Sequence, residues 1–147
     1  MHPEALAFIA SQRVCVLAIE MMDGSPHGST VHFAHYGTVP TFIFLSERRY
    51  RKAEPLFGRP VSRATVVLGF LEGKMQTLQI DGNAQVLTDA DELRDAYFSK
   101  FPEKREKIEE PADFFFKFTP TWWRFTDWSK PEGKTVYLSD GTVKVGK

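Results

Sequence analysis

The chain has 147 residues, of which 42% are hydrophobic and 26% charged, a composition typical of one globular domain that excludes a disordered or fibrous protein. Nineteen basic residues balance nineteen acidic ones, which argues against a protein built to coat nucleic acid or an anionic membrane. With no secretory signal pattern and no apolar run of membrane-spanning length, we expect a soluble cytoplasmic protein.

The first half of the chain predicts a short helix and three strands. The helix and the strands are predicted, in order, over 3–11, 13–20, 29–35 and 41–46. Helical spacing of apolar residues indicates the helix, whereas β-branched and apolar runs bounded by turn sequences indicate the strands. The single cysteine, Cys15, lies inside the first strand, so we interpret it as a buried and unreactive thiol.

The second half predicts three more strands, one longer helix and a terminal hairpin. The strands are predicted over 62–71, 75–87 and 114–128, the helix over 89–101 after an N-cap at Thr88, and the hairpin around 140–141. Gly82 indicates a bulge or a close backbone approach, and Pro120 a break in the last long strand. The segment 102–113 is charged and predicted to be exposed. Six main strands with short turns predict a small antiparallel barrel.

Four cations crowd into six positions after the third strand: Arg48, Arg49, Arg51 and Lys52. We predict a helix over 47–54, on which like charges three and four positions apart repel unless an anion lies among them. Ion pairing with neighbouring glutamates would instead leave an ordinary solvated face. The position of Ser46 favours an anion site, because a hydroxyl and the free backbone N–H groups at a helix start bind phosphate.

Polar side chains also occur in two strands that are otherwise apolar. Ser29 and Thr30 begin the second strand, and Gln76, Thr77 and Gln79 lie in the fifth. Each group has an ordinary interpretation: local hydrogen bonds in a hairpin for the first, and the solvent face of an edge strand for the second. Each could equally hydrogen-bond a ligand.

The sequence lacks the patterns of several enzyme classes. It contains no nucleophile elbow around a serine, no Walker loop and no HExxH helix. His32 and His35 point to opposite faces of a strand, so we expect no metal site.

Three segments together resemble the pyridoxamine 5′-phosphate oxidase-like family of FMN-binding split barrels. Residues 23–37 are similar to the strand beside the flavin, residues 42–56 to the phosphate segment, and residues 76–87 to the strand that reads Arg-Gln-Val-Arg in the true oxidases. The resemblance implies a mainly β fold, a six-stranded antiparallel split β-barrel with Greek-key topology and a few short helices. It also implies one domain over 1–147 and a homodimer with FMN at its interface.

Carried over position by position, the resemblance implies eleven FMN contacts. They are Ser29, Thr30, Val31, His32, Phe33, Leu45, Ser46, Arg51, Lys52, Thr77 and Trp123. Ser46, Arg51 and Lys52 are the implied phosphate ligands. His32 is the best candidate beside the ring, although a purely structural histidine is the alternative. The chain has Ser29 where the oxidases have an arginine and lacks their arginine-rich fifth strand, so a vitamin B6 oxidase is not implied.

The expected function is that of an FMN-dependent oxidoreductase with a small-molecule substrate or an electron donor such as NAD(P)H. No side chain is assigned as catalytic. The alternatives are a non-catalytic FMN-binding or sensing protein and a relative that uses heme or a deazaflavin. Neither nucleic acid nor a membrane is expected as a partner.

Overall fold

A computed structural model describes residues 1–88 and 91–146. It shows a curled antiparallel sheet of nine strands that packs with three α-helices. The helices are α1 (Pro3–Ser11), α2 (Ala53–Gly58) and α3 (Asp91–Lys100). The strands are β1 (Val14–Glu20), β2 (Pro26–His32), β3 (Ala34–Tyr36), β4 (Thr41–Glu47), β5 (Ser62–Leu68), β6 (Gln76–Val86), β7 (Asp113–Asp127), β8 (Lys134–Leu138) and β9 (Val143–Gly146). No helix within the described ranges is both long enough and apolar enough to cross a membrane.

The sheet curls into a barrel because the chain changes its strand partner between β2 and β3. The strand order is β2-β1-β5-β6-β7-β4-β3, and β8 and β9 form a hairpin on β7. Only Phe33 separates β2 from β3, yet β2 pairs with β1 whereas β3 pairs with β4. Within the described register, β2 does not pair with the end of β4, so the barrel opens there. The predicted mainly β split barrel, with six main strands, is confirmed.

Alternating side chains and stacked phenylalanines fill the barrel. In β1 the inward residues Cys15, Leu17 and Ile19 are buried, which follows the two-residue period of a strand. Phe44 on β4 stacks on Phe116 of β7 with ring centroids 4.8 Å apart. Burial raises the pKa of the Cys15 thiol to about 12, as expected for an unreactive cysteine.

Gly82 marks a bulge, as predicted. Asp81 pairs with Trp122 and Gly82 with Pro120, which leaves Thr121 of β7 without an opposite residue. A Cβ atom on Gly82 would lie 2.2 Å from the Thr119 carbonyl oxygen, so only glycine fits this approach. β7 runs through Pro120, and the expected break there is wrong.

The predicted helix over 47–54 is wrong. Residues 48–52 form turns, in which the Tyr50 N–H bonds the Glu47 carbonyl at 3.1 Å and the Ala53 N–H bonds the Tyr50 carbonyl at 2.9 Å. α2 begins at Ala53 and carries Pro55 in its first turn, a position where proline costs no helical hydrogen bond. We predicted that a helix ends before Pro55, whereas Pro55 lies in the first turn of α2.

Two other predicted elements differ from the observed ones. The second strand begins at Pro26 and is interrupted at Phe33, because its two halves pair with different partners. β6 pairs with both β5 and β7, so its polar residues do not belong to an edge strand. The expected helix start at 89–90 lies outside the described residues.

Candidate functional site

A groove of about 730 Å³ lies where β2 and the end of β4 separate, and we call it the split groove. Its volume is in the range of small-molecule sites in proteins. The groove is lined by His27, Ser29, Thr30, Val31, His32, Leu45, Ser46, Glu47, Tyr50, Arg51, Lys52, Lys104, Lys107, Ile108 and Asp113.

The structure brings eight of the eleven sequence-predicted contact residues together in the split groove. They are Ser29, Thr30, Val31, His32, Leu45, Ser46, Arg51 and Lys52. Phe33 lies instead in the core, with its ring centroid 5.4 Å from that of Phe42. Thr77 lies in a separate cleft beside Trp128, and Trp123 lies in a small cleft near the N-terminus.

Two serine hydroxyls of the split groove are buried without a partner. Ser29 Oγ on β2 and Ser46 Oγ on β4 have no hydrogen-bond partner among the described residues. Buried polar atoms in folded proteins are normally hydrogen-bonded, because leaving one unpaired costs about 1–3 kcal/mol. Since both serines line the groove, their hydroxyls are available to a ligand's oxygen atoms.

Two of the four clustered cations face the split groove. Arg51 is exposed, whereas the side chain of Lys52 is buried to 7% exposure. Burial lowers the pKa of Lys52, and the nearby Glu47 carboxylate opposes that shift. Neither cation forms an ion pair with a carboxylate in the described part of the chain. An anion in the groove would therefore meet free positive charge.

The other two cations have structural partners. Arg48 Nε donates to the Pro111 carbonyl at 2.9 Å, and its guanidinium lies 4.0 Å above the Phe57 ring. Arg49 is exposed and forms an ion pair with Glu47. The turns over 48–52 thus separate cations that the predicted helix would have placed on one face.

The expected helix-start donors beside Ser46 are not found. Ser46 lies within β4, paired with Phe114, and α2 begins only at Ala53. The intervening N–H group of Arg48 bonds the Ala112 carbonyl at 2.8 Å. Side chains, not helix-start amides, are what this part of the groove offers to an anion.

The opposite rim of the groove was missed in the sequence. Lys104 and Lys107 come from the charged segment that we expected to be merely exposed, and the fold lays that segment against β2. Lys104 Nζ lies 3.1 Å from His32 Nδ1 and donates to Tyr97 Oη at 3.1 Å. The only signal in the sequence was a pair of lysines three positions apart, which is common on solvated surfaces.

One wall of the groove is a strand edge. Among the described strands β2 pairs only with β1, so its outer edge presents backbone N–H and C=O groups. Apolar side chains of Val31, Leu45 and Ile108 lie in the same groove. Cations and hydroxyls at one end, with a backbone edge and apolar side chains along the wall, suit a flat ligand that carries a phosphate.

Solved structures of other proteins share this fold. A pyridoxamine 5′-phosphate oxidase-related, FMN-binding protein from Nostoc punctiforme PCC 73102 is 14% identical, with a TM-score of 0.64 over 99% of this chain and 97% of that one. General stress protein 26 from Bacillus anthracis str. Sterne is 18% identical, with a TM-score of 0.63 over 99% and 100% of the two chains. The heme storage protein HutZ from Vibrio cholerae is 20% identical, with a TM-score of 0.60 over 81% and 89%.

At these identities the solved structures establish the fold alone. Among curated proteins, none matches the sequence. The model of the pyridoxamine 5′-phosphate oxidase family matches residues 1–127, which is most of the chain. The chain therefore belongs to the pyridoxamine 5′-phosphate oxidase family.

Proposed function

We propose that this chain is an FMN-binding flavoprotein that acts as an oxidoreductase and holds the FMN phosphate in the split groove. Ser46, Arg51 and Lys52 are the proposed phosphate ligands. The observation that carries the proposal is a pair of buried serine hydroxyls and two cations in one groove, none of which has a hydrogen-bonding or ion-pair partner of its kind within residues 1–88 and 91–146. A phosphate would satisfy both the hydroxyls and the cations.

The flavin ring is proposed to lie along the free edge of β2. Backbone groups of that edge can hydrogen-bond the polar rim of a flat ring, and Val31, Leu45 and Ile108 can exclude water from its faces. When bound, FMN supplies the acceptance and release of hydride or electrons. The chain's own residues bind the cofactor, orient it and shield it.

A homodimer is part of the proposal. Thr77 and Trp123 lie outside the split groove of their own chain, so a second copy is the way for them to approach a bound cofactor. The side chains of Phe70, Met75 and Trp128 beside Thr77 are 48%, 48% and 41% exposed. An exposed apolar cluster of this kind supports an interface there.

The substrate is proposed to be a small molecule other than pyridoxamine phosphate, or an electron donor such as NAD(P)H. At the fifth main strand the chain has Gln76 and Gln79 where the oxidases have arginines, and Thr77 where they have a glutamine. These uncharged side chains offer no ion pair to a second phosphate.

The absorbance spectrum of the purified protein tests the proposal. A flavin spectrum, bleached by NAD(P)H in the absence of oxygen and restored by air, is the expected result. A flavin spectrum that no donor bleaches would support the non-catalytic binding or sensing protein instead. A Soret band would point to heme, and a colourless protein that takes up no added FMN would overturn the proposal.

A further inference from the structure

At the rim of the split groove, the side chain of Lys104 lies between those of His32 and Tyr97 and contacts both. Lys104 Nζ lies 3.1 Å from both His32 Nδ1 and Tyr97 Oη. The His32 ring also packs on Phe101, with ring centroids 5.1 Å apart. Two independent contacts therefore fix the histidine that faces the proposed cofactor site.

Tyr97 fixes Lys104 in turn. The tyrosine is fully buried on α3, with its ring centroid 5.0 Å from that of Phe101 and 5.5 Å from that of Phe115. Burial raises the pKa of the Tyr97 hydroxyl, so this group stays protonated and accepts a hydrogen bond from the lysine. The ammonium group is thus anchored and not a freely moving surface charge.

The contact to Lys104 determines where the His32 ring carries its proton. While Lys104 is an ammonium, which has donors and no acceptor, His32 Nδ1 is the acceptor in this contact. A neutral imidazole whose Nδ1 accepts carries its proton on Nε2. Partial desolvation and then the positive charge of Lys104 lower the pKa of His32, which favours the neutral ring near pH 7.

The other charged groups around His32 reinforce this state. Arg13 and Lys100 add positive charge, and Glu103 opposes them while lying 3.9 Å from Arg13. Three cations against one carboxylate disfavour a second proton on the ring.

We propose that Lys104 is a positioning and specificity-determining residue. It holds His32 as a neutral Nε2–H donor and prevents the ring from ligating a metal ion. An iron or other metal ion needs an unprotonated ring nitrogen, and here Lys104 occupies one nitrogen and the proton the other. His32 then offers the ligand in the groove a hydrogen-bond donor and no lone pair for a metal ion. The assignment of that ligand as FMN rests on the proposed function, whereas the state of His32 does not.

This inference bears on the choice between flavin and heme. The same fold occurs in the heme storage protein HutZ. A flavin ring carries carbonyl oxygens and unprotonated nitrogens that accept a hydrogen bond, whereas heme iron would need the His32 lone pair. Lys104 thus favours the flavin at this position and disfavours heme ligation by His32.

Nitrogen-15 NMR of the ligand-free protein tests the state of His32. In the wild type we expect one tautomer with the proton on Nε2, and a titration midpoint below that of an ordinary histidine. The Lys104→Met variant should move that midpoint upward and let the two tautomers exchange. Lys104→Glu should reverse the tautomer, because a carboxylate accepts from Nδ1–H and can also accept from Tyr97. The Lys104→Arg variant, whose guanidinium donates hydrogen bonds but cannot accept them, should show the wild-type pattern.

Lys107→Met is the matched control, because Lys107 lines the same groove and has no hydrogen bond or ion pair to His32 in the described structure. It should leave the His32 signals unchanged, and matching thermal unfolding curves would show that the variants fold. A wild-type His32 with its proton on Nδ1, or a Lys104→Met variant with an unshifted midpoint, would overturn the inference.

Addition of hemin separates this inference from the proposed function. The wild type should show no histidine-ligated iron spectrum that depends on His32, whereas Lys104→Glu should gain one that disappears in the Lys104→Glu, His32→Ala double variant. A wild-type histidine-ligated spectrum that is lost in His32→Ala would contradict the inference. Failure to bind FMN, with the expected NMR result, would instead contradict only the proposed function.

Discussion

Ser29 and Ser46 face the split groove from two strands that do not pair with each other, and both hydroxyls are buried without a hydrogen-bond partner in the described structure. The gap between β2 and the end of β4 allows a ligand to reach the two hydroxyls, because pairing of these strands would close the groove. The fold thereby places hydroxyls and cations from distant parts of the sequence around one space.

Replacing Ser46 should weaken FMN binding without lowering the stability of the ligand-free protein. Ser46→Ala removes a buried hydroxyl that has no hydrogen-bond partner in the part of the chain that the structure describes, so the free energy of unfolding without ligand should stay equal or rise, by up to about 1 kcal/mol. FMN affinity should fall roughly tenfold, because a hydrogen bond to a charged phosphate is lost. Urea unfolding and fluorescence titration with FMN measure the two effects.

A second buried serine provides the control for that change. Ser62 accepts a hydrogen bond from Arg59 at 3.1 Å and donates one to the Pro55 carbonyl at 3.3 Å. Ser62→Ala should therefore lose about 1 kcal/mol of stability and leave FMN affinity unchanged. A Ser46→Ala protein that unfolds as easily as Ser62→Ala would show that Ser46 has a structural role instead.

Arg51 and Arg49 should differ although they are two positions apart. Arg51→Ala should weaken FMN binding by roughly 10- to 100-fold, because a charge-assisted contact to phosphate contributes about 1.5–3 kcal/mol. Arg49→Ala breaks only an exposed ion pair with Glu47, which contributes about 0–1 kcal/mol to stability and nothing to binding. Equal losses of affinity in both variants would indicate a diffuse charge effect and not a defined contact.

FMN binding should weaken as the pH rises, because of Lys52. Burial lowers the pKa of its amine, so the positive charge is present at lower pH and is lost as the pH passes a value below that of an ordinary lysine. Affinity measured between about pH 7 and pH 10 should fall over that range. In Lys52→Arg the guanidinium keeps its charge, so the fall should disappear. An identical pH profile in both proteins would remove Lys52 from the phosphate site.

The bulge at Gly82 should be intolerant of a side chain. A Cβ atom there would lie 2.2 Å from the Thr119 carbonyl oxygen and 2.7 Å from the Phe118 ring, so Gly82→Ala should cost about 1–3 kcal/mol of stability or more. Gly28 on β2 has open space around the corresponding position, and Gly28→Ala should be neutral or slightly stabilising. Thermal unfolding measures both, and similar melting temperatures would contradict the described register of β6 and β7.

Much of the barrel could be predicted because its strands carry local signals. The alternation in β1, the turns that bound it and the glycine in β6 are readable without tertiary information. The family resemblance then placed Ser29, Ser46, Arg51 and Lys52 near one another, and the structure brings these four into the split groove.

What could not be predicted depends on contacts distant in sequence. Residues 48–52 form turns because the Arg48 backbone bonds the Ala112 carbonyl and its side chain bonds the Pro111 carbonyl, and neither partner is visible from the local sequence. Lys104 reaches the groove because the segment after α3 lies against β2. Thr77 and Trp123 lie outside the groove of their own chain, so their proposed contacts to FMN require a second copy.

Calorimetric titration of FMN into the flavin-free protein tests the central proposal most directly. The wild type should bind a single FMN per chain in a saturable manner, and the Arg51→Ala, Lys52→Ala double variant should bind at least about 100-fold more weakly. No saturable binding by the wild type, or equal affinity in a correctly folded double variant, would contradict a phosphate site in the split groove.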